Sequence, residues 1–221
     1  MNGHGTPHAP DGAGWSPSTA GKLVNFAVFQ CVWFICVYGA ADGMPWVGPI
    51  AAAVLLPINL LFSPRPTREL RLWFLAGAVG LVLDSALRSS GWISFPAGAL
   101  AAGESPGPNL LLAPAWIVTL WIAFGSLLNS SLTWLSGRPG LALLLSAIGG
   151  PFSFWSGTRL GATSVPGGWM GYLALSIEYA VVVPFLMHAG RPTSEMAVPT
   201  LPDLTDDPTV TKPKHKTRTT T

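Results

Sequence analysis

The chain has 221 residues, of which 49% are hydrophobic and only 10% charged, against roughly 25% charged in a typical soluble domain. Ten of its 22 charges lie in the two tails (Asp11, then Arg191, Glu195, Asp203, Asp206, Asp207, Lys212, Lys214, Lys216 and Arg218), which leaves 12 between Lys22 and Ala189. That is too few to cover a soluble surface, and a net charge of +2 points to no nucleic-acid partner.

The expected fold is therefore all-α, a polytopic bundle of about six transmembrane helices over residues 22–189. Disordered tails at 1–21 and 190–221 are expected on either side, because both are rich in Gly, Pro, Ser, Thr and charge and neither has apolar periodicity. His4 and His8 have no ligand partner beyond Asp11, so no metal site is read there. The basic end, Lys212 to Arg218, suits anionic headgroups. Cys31 and Cys36 stand five residues apart on one apolar segment without a Cys-x-x-Cys motif and read as two buried thiols.

Six apolar segments follow in order, at 22–41, 46–62, 70–88, 110–129, 141–159 and 169–188, each long enough or nearly so for a hydrocarbon core of about 30 Å. Pro57 in the second is expected to bend it, as Pro114, Pro151 and Pro184 are in later ones. Trp46, Trp92, Trp134 and Trp169 fall at segment ends, the depth an amphipathic ring prefers. Lys22, Arg65, Arg68, Arg71, Arg138 and Arg191 fall on one side of this alternation, against Arg88 and Arg159 on the other. By the positive-inside rule both termini are cytoplasmic. Lys22, the run Leu23 to Tyr38 and Gly39-Ala40-Ala41 also have the outline of a signal peptide, which Asn25, Gln30 and the 20-residue tail before them argue against.

Few polar groups lie at membrane depth. In the third segment Gly77, Gly80 and Asp84 share one small-residue face on which a neighbouring helix can approach. Arg88, one turn on, and Arg159, at a similar depth in the fifth segment, are the expected ion-pair partners of Asp84. In the fifth segment Ser146, Gly150, Ser153 and Gly157 form a stripe, and Gly149-Gly150-Pro151 is expected to open the helix locally. The stripe reads either as a helix-packing groove or as a ligand site of freed carbonyls. Glu178 stands near the middle of the sixth segment, where an uncompensated carboxylate costs at least about 2.5 kcal/mol. It must therefore face the interior. On the cytoplasmic half Gln30, Asn25, Asn59 and Asn129 supply amides.

Residues 92–109 are too short and too broken to span, and read as a re-entrant segment or a plain loop. A separation of 94 residues relates Pro57 to Pro151 and Asp84 to Glu178, a faint suggestion of internal repetition. No nucleotide-binding glycine motif, zinc-protease histidine pair or Gly-x-Ser-x-Gly elbow occurs, and no cofactor is legible.

Several fragments together resemble a family of small bacterial inner-membrane proteins of unknown function. They are Asn25 with Phe29-Gln30, Ser63-Pro64-Arg65-Pro66, Glu69-Leu70-Arg71, Leu83-Asp84-Ser85, Ser94-Phe95-Pro96, Leu112-Ala113-Pro114-Ala115-Trp116, and Gly149-Gly150-Pro151 with Gly157, Arg159, Leu160 and Gly161. The likeness covers about residues 22–190. Relatives often carry histidine where this chain has Ser130, so a mechanism resting on that imidazole does not transfer. The resemblance implies genes placed near enzymes that modify membrane fatty acids. Its functional implication is an enzyme, or an accessory subunit bound to a membrane-protein partner, acting on membrane lipids. A small-molecule transporter and a non-catalytic scaffold remain the alternatives. The candidate catalytic residues are Glu178, Asp84 and Arg159, and the candidate substrate contacts are Ser153, Arg88, Asn129 and Gln30.

Overall fold

The computed structural model describes residues 18–95 and 112–190, all helices and turns apart from one isolated β-bridge. The expectations for tail residues 1–17 and 191–221, and for most of 92–109, lie outside these residues; Thr19 to Gly21, read as tail, already belong to the first helix.

Helix α1 covers Thr19–Ala41 and is capped by Ser18, whose Oγ accepts from the Gly21 N–H at 3.1 Å, satisfying one of the donors a helix start leaves open. The second segment is two pieces, α2 (Val47–Leu55) and α3 (Pro57–Leu60). The interruption at Leu56 falls just before Pro57, whose ring disfavours the helical conformation of its predecessor. Helix α4 (Pro66–Ser89) and helix α6 (Pro139–Arg159) each start on a proline, where a missing N–H goes unnoticed. Helices α5 (Ala115–Leu128) and α7 (Gly168–Ala189) complete the set, with a short 3₁₀ turn at Thr133–Leu135 between α5 and α6.

Four of the described helices, α1, α4, α6 and α7, are long and apolar enough to cross a membrane. At 1.5 Å per residue they measure about 31 to 36 Å. The apolar stretches Val47–Leu60 and Ala115–Leu128 are shorter, about 21 Å each. Large apolar side chains cover the outside, among them Leu23, Ile50, Val54, Phe74, Val82, Ile148, Ile177 and Val181, an exterior that water would not support. Trp46, Trp92, Trp134 and Trp169 all point outward, as segment-end tryptophans do at a membrane interface. The chain is a multi-pass membrane protein.

Laterally, α1 packs on α2 and α5, α5 on α4, α4 on α7, and α7 on α6. The glycines of α4 set one of these contacts. A methyl group at Gly77 would stand 2.7 Å from Ile122, and one at Gly80 only 2.0 Å from the Trp121 ring, so the expected close approach of a neighbour occurs and the neighbour is α5. At the far ends of α4 and α6 the chain turns through Gly91 and Gly161, at φ +77° and +87°, a region that side chains disfavour. The two turns then meet, Ser94 and Ser164 exchanging backbone hydrogen bonds of 2.8 Å. Ile93 and Phe95 are thereby folded inward.

The opposite end is fastened by amides. Asn25 donates to the Ser126 carbonyl at 3.1 Å and accepts from the Ser131 hydroxyl at 2.7 Å, while Asn59 donates to Ser126 Oγ at 3.3 Å. Arg68 donates to the Gly190 carbonyl at the end of α7.

Three expectations are corrected. Helix α6 runs without a break through Gly149-Gly150-Pro151; a single proline inside a long helix removes one hydrogen bond, and packing on α7 holds the remainder. Cys36 is buried but Cys31 is exposed, since five residues along a helix is a rotation of roughly 140°. The 94-residue repetition has no structural counterpart: Pro57 interrupts its helix whereas Pro151 does not, and Asp84 sits near a helix end whereas Glu178 sits mid-helix.

Candidate functional site

Between α1 and α6 lies a groove of about 780 Å³, floored by α5 and closed behind by α7. Its size is that of a site for a small molecule or a single lipid chain. Phe29, Phe34 and Tyr38 line it from α1, Trp116, Ile117 and Phe124 from α5, and Leu145, Phe152 and Trp155 from α6. The small residues of the α6 stripe leave the space. Gly149, Gly150, Ser146, Ser153 and Gly157 all border the groove, and a run of small side chains on one face cannot fill the gap to α1. Ala142 and Arg159 border it along α6, 17 residues and about 26 Å apart. Among the described residues one side-chain hydrogen bond crosses between the walls, from Trp33 Nε1 to Ser153 Oγ at 3.1 Å.

Among the described residues Arg159 is the groove's single charged lining residue. Its guanidinium lies 5.4 Å from the centroid of the Trp155 ring, a cation–π distance that holds the charge at this end. Hydroxyls accompany it, with Thr158 Oγ1 and Thr163 Oγ1 3.2 Å apart and Thr163 donating to the Phe154 carbonyl at 3.1 Å.

Behind the groove wall are the two acids. Trp121 and Tyr179 both line the groove and stack on one another with centroids 4.8 Å apart. Two glycines admit these rings: Gly80 accommodates Trp121, and Gly150 accommodates Tyr179, where a methyl group would meet the ring at 2.2 Å. On the side away from the groove Trp121 Nε1 donates to Asp84 Oδ2 at 2.7 Å. Asp84 is fully buried, and its Oδ1 has no hydrogen-bond partner. Both carboxyl oxygens of Glu178 are likewise buried without a hydrogen bond. Asp84 and Glu178 lie within electrostatic reach of each other and of Tyr179. Three buried carboxyl oxygens without a donor are a costly arrangement, and they are three of the five buried side-chain polar atoms without a partner among the described residues.

The sequence candidates thus divide. Gln30, Ser153 and Arg159 come together on the groove. Asp84 and Glu178 come together behind the Trp121–Tyr179 pair. The expected ion pair of Asp84 with an arginine is replaced by the indole hydrogen bond, because the ring seated over Gly80 occupies that side of the carboxylate. Arg88 instead donates to the Leu112 carbonyl at 2.6 Å and lies 6.0 Å from the Phe95 ring centroid, away from the groove lining. Asn129 ends α5 in the amide-rich region at the other end, bordering a cavity of about 20 Å³ with Asn59, Glu69 and Trp73. Trp121 was missed at the sequence level. Its signal was a tryptophan at the twelfth position of the apolar segment 110–129, deep enough that its N–H needs a partner, beside a glycine-marked neighbour carrying Asp84.

Among the described residues no group of three or more His, Cys, Asp or Glu is placed to hold a metal ion. The family described as "Protein of unknown function (DUF2878)" matches this chain over residues 22–185. No curated protein and no solved structure matches it.

Proposed function

Because the chain belongs to the DUF2878 family, whose description states no activity, its function has to be argued from the site, and we propose that it takes a chain of a membrane lipid into the groove between α1 and α6. In this reading it is an enzyme of membrane lipid or fatty-acid modification, or an accessory subunit of one. It crosses a bacterial inner membrane six times, α2–α3 and α5 being the two short crossings, with both termini cytoplasmic. The observation that carries the proposal is the groove itself, an apolar space about 26 Å long inside a membrane protein, with one cation at its Arg159 end. Lipid is the surrounding solvent, so an apolar groove bordered by two membrane-crossing helices is filled by lipid unless protein closes it. Asp84 and Glu178, one aromatic layer from that chain, are the groups with hydrogen-bonding capacity to spare, and Arg159 holds a headgroup.

The acid pair also favours a second reading, proton-coupled transport of a small molecule, because intramembrane acids without partners are a recurrent feature of proton relays. Comparative lipidomics of deletion and complemented strains separates the two. A missing acyl or headgroup species restored by the wild-type gene supports the lipid reading. An unchanged lipidome, with a substrate accumulating on one side of the membrane, overturns it in favour of transport.

A further inference from the structure

Helices α1 and α6 run in the same direction at a constant offset. Trp33 bonds Ser153, and eight residues further along a methyl group at Gly161 would stand 4.0 Å from Ala41 Cβ, so residue n of α1 is level with residue n + 120 of α6. Gln30 is therefore level with Gly150, nine residues or about 13 Å short of Arg159. Gln30 faces the groove and has no hydrogen-bond partner among the described residues. Flanking it on α6 are two further groove-lining hydroxyls. Ser146 donates to its own helix at Leu143 and Ser153 accepts from Trp33, so each retains hydrogen-bonding capacity toward the groove.

An amide left unpaired half-way along an apolar groove in a membrane is expensive unless something there pairs with it. Arg159, the only charge on the lining among the described residues, is exposed at the end of α6, has no carboxylate partner among those residues and lies over the Trp155 ring. A plain hydrocarbon chain answers the apolar walls and leaves both groups unanswered. The geometry points to a more specific occupant: we propose that the groove binds a long-chain amphiphile with an anionic group at Arg159 and an oxygen function, a hydroxyl or carbonyl, part-way down the chain where Gln30, Ser146 and Ser153 converge. The anion is a carboxylate or a phosphate, that is, a free fatty acid or the headgroup of a phospholipid. This inference rests on the groove being a lipid site and specifies the lipid.

The test is equilibrium binding to the full-length protein in detergent micelles, followed by tryptophan quenching with brominated competitors, using stearate, 10-hydroxystearate and 1-stearoyl lysophosphatidate as probes. Expected are binding of stearate, binding of 10-hydroxystearate tighter by about fivefold, the scale of one added hydrogen bond, and loss of that preference in Gln30→Leu with stearate affinity kept. Arg159→Gln is expected to weaken all three. Stronger retention of lysophosphatidate than of stearate assigns the anion to a phospholipid, and the reverse order to a free acid. Equal affinity for stearate and 10-hydroxystearate overturns the mid-chain oxygen while leaving the groove a lipid site. Failure of every probe to bind overturns the lipid reading itself. The comparison of probes on the wild-type protein stands even if a variant does not fold.

Discussion

Gly149 and Gly150 are neighbours on α6, and adding one methyl group to each is expected to have opposite effects. At Gly149 nothing lies within 4 Å of the added carbon, so Ala contributes only its better helix propensity, a gain of up to about 1 kcal/mol. At Gly150 the same carbon falls 2.2, 2.4 and 2.7 Å from three atoms of the Tyr179 ring. Ordinary contact begins near 3.4 Å, so the ring or the helix has to move by about 1.2 Å. Tyr179 has little room to do so, being stacked on Trp121 at 4.8 Å, which is itself tied to Asp84. Overpacking of this kind costs about 1 to 3 kcal/mol, and subtracting a propensity gain of about 1 kcal/mol leaves a net loss of up to about 2 kcal/mol. Thermal unfolding of the purified variants in one detergent, followed by a thiol-reactive dye at buried Cys36, measures both. Gly149→Ala is expected at or above the wild-type midpoint and Gly150→Ala clearly below it. Equal midpoints for the two variants would refute the packing of Tyr179 into the α6 stripe, and with it the wall that separates the groove from the acids.

Three further outcomes are expected. Trp121→Phe deprives Asp84 of its one hydrogen bond and is expected to destabilise by about 1 to 3 kcal/mol, whereas Trp121→Phe combined with Asp84→Leu recovers part of that loss; additive losses in a double-mutant cycle would show that the bond does not form. Glu178→Gln is expected to preserve insertion and yield but abolish complementation of the deletion phenotype, and full complementation by both Gln and Leu variants would make Glu178 a tolerated oddity. Reporter fusions after Ser18 and after Thr200 are both expected to report the cytoplasm, and a periplasmic result at either would overturn the six crossings.

Much of the fold was legible because membrane burial acts on composition. Long apolar runs, tryptophans at segment ends and the glycine face of α4 each have one dominant physical reading. What was not legible depends on which helix meets which. Nothing in the spacing says that Trp121 rather than Arg159 reaches Asp84, because a choice between two donors is decided by lateral packing order. The stripe Ser146, Gly150, Ser153 and Gly157 was visible, but not how its members divide: Gly150 packs Tyr179 while Ser146 and Ser153 border open space, and no break in α6 frees the carbonyls. Pro151 misled because its effect depends on neighbours, such as α7, whose packing keeps the helix continuous. Asn129 and Arg88 carried suitable chemistry but stand away from the groove, a matter of position around and along the bundle that residue type does not encode.

The central claim is that lipid enters the space between α1 and α6. The most direct measurement is photocrosslinking in native membranes with a diazirine-bearing fatty acid, with adducts located by mass spectrometry. Leu120 and Phe124 line the floor of the groove from α5 and are only partly buried, so adducts there, together with Phe34 and Leu145, are the expected result. Adducts confined to outward-facing Phe74, Val82 and Ile177 would contradict the account, because lipid would then only surround the bundle and never enter it.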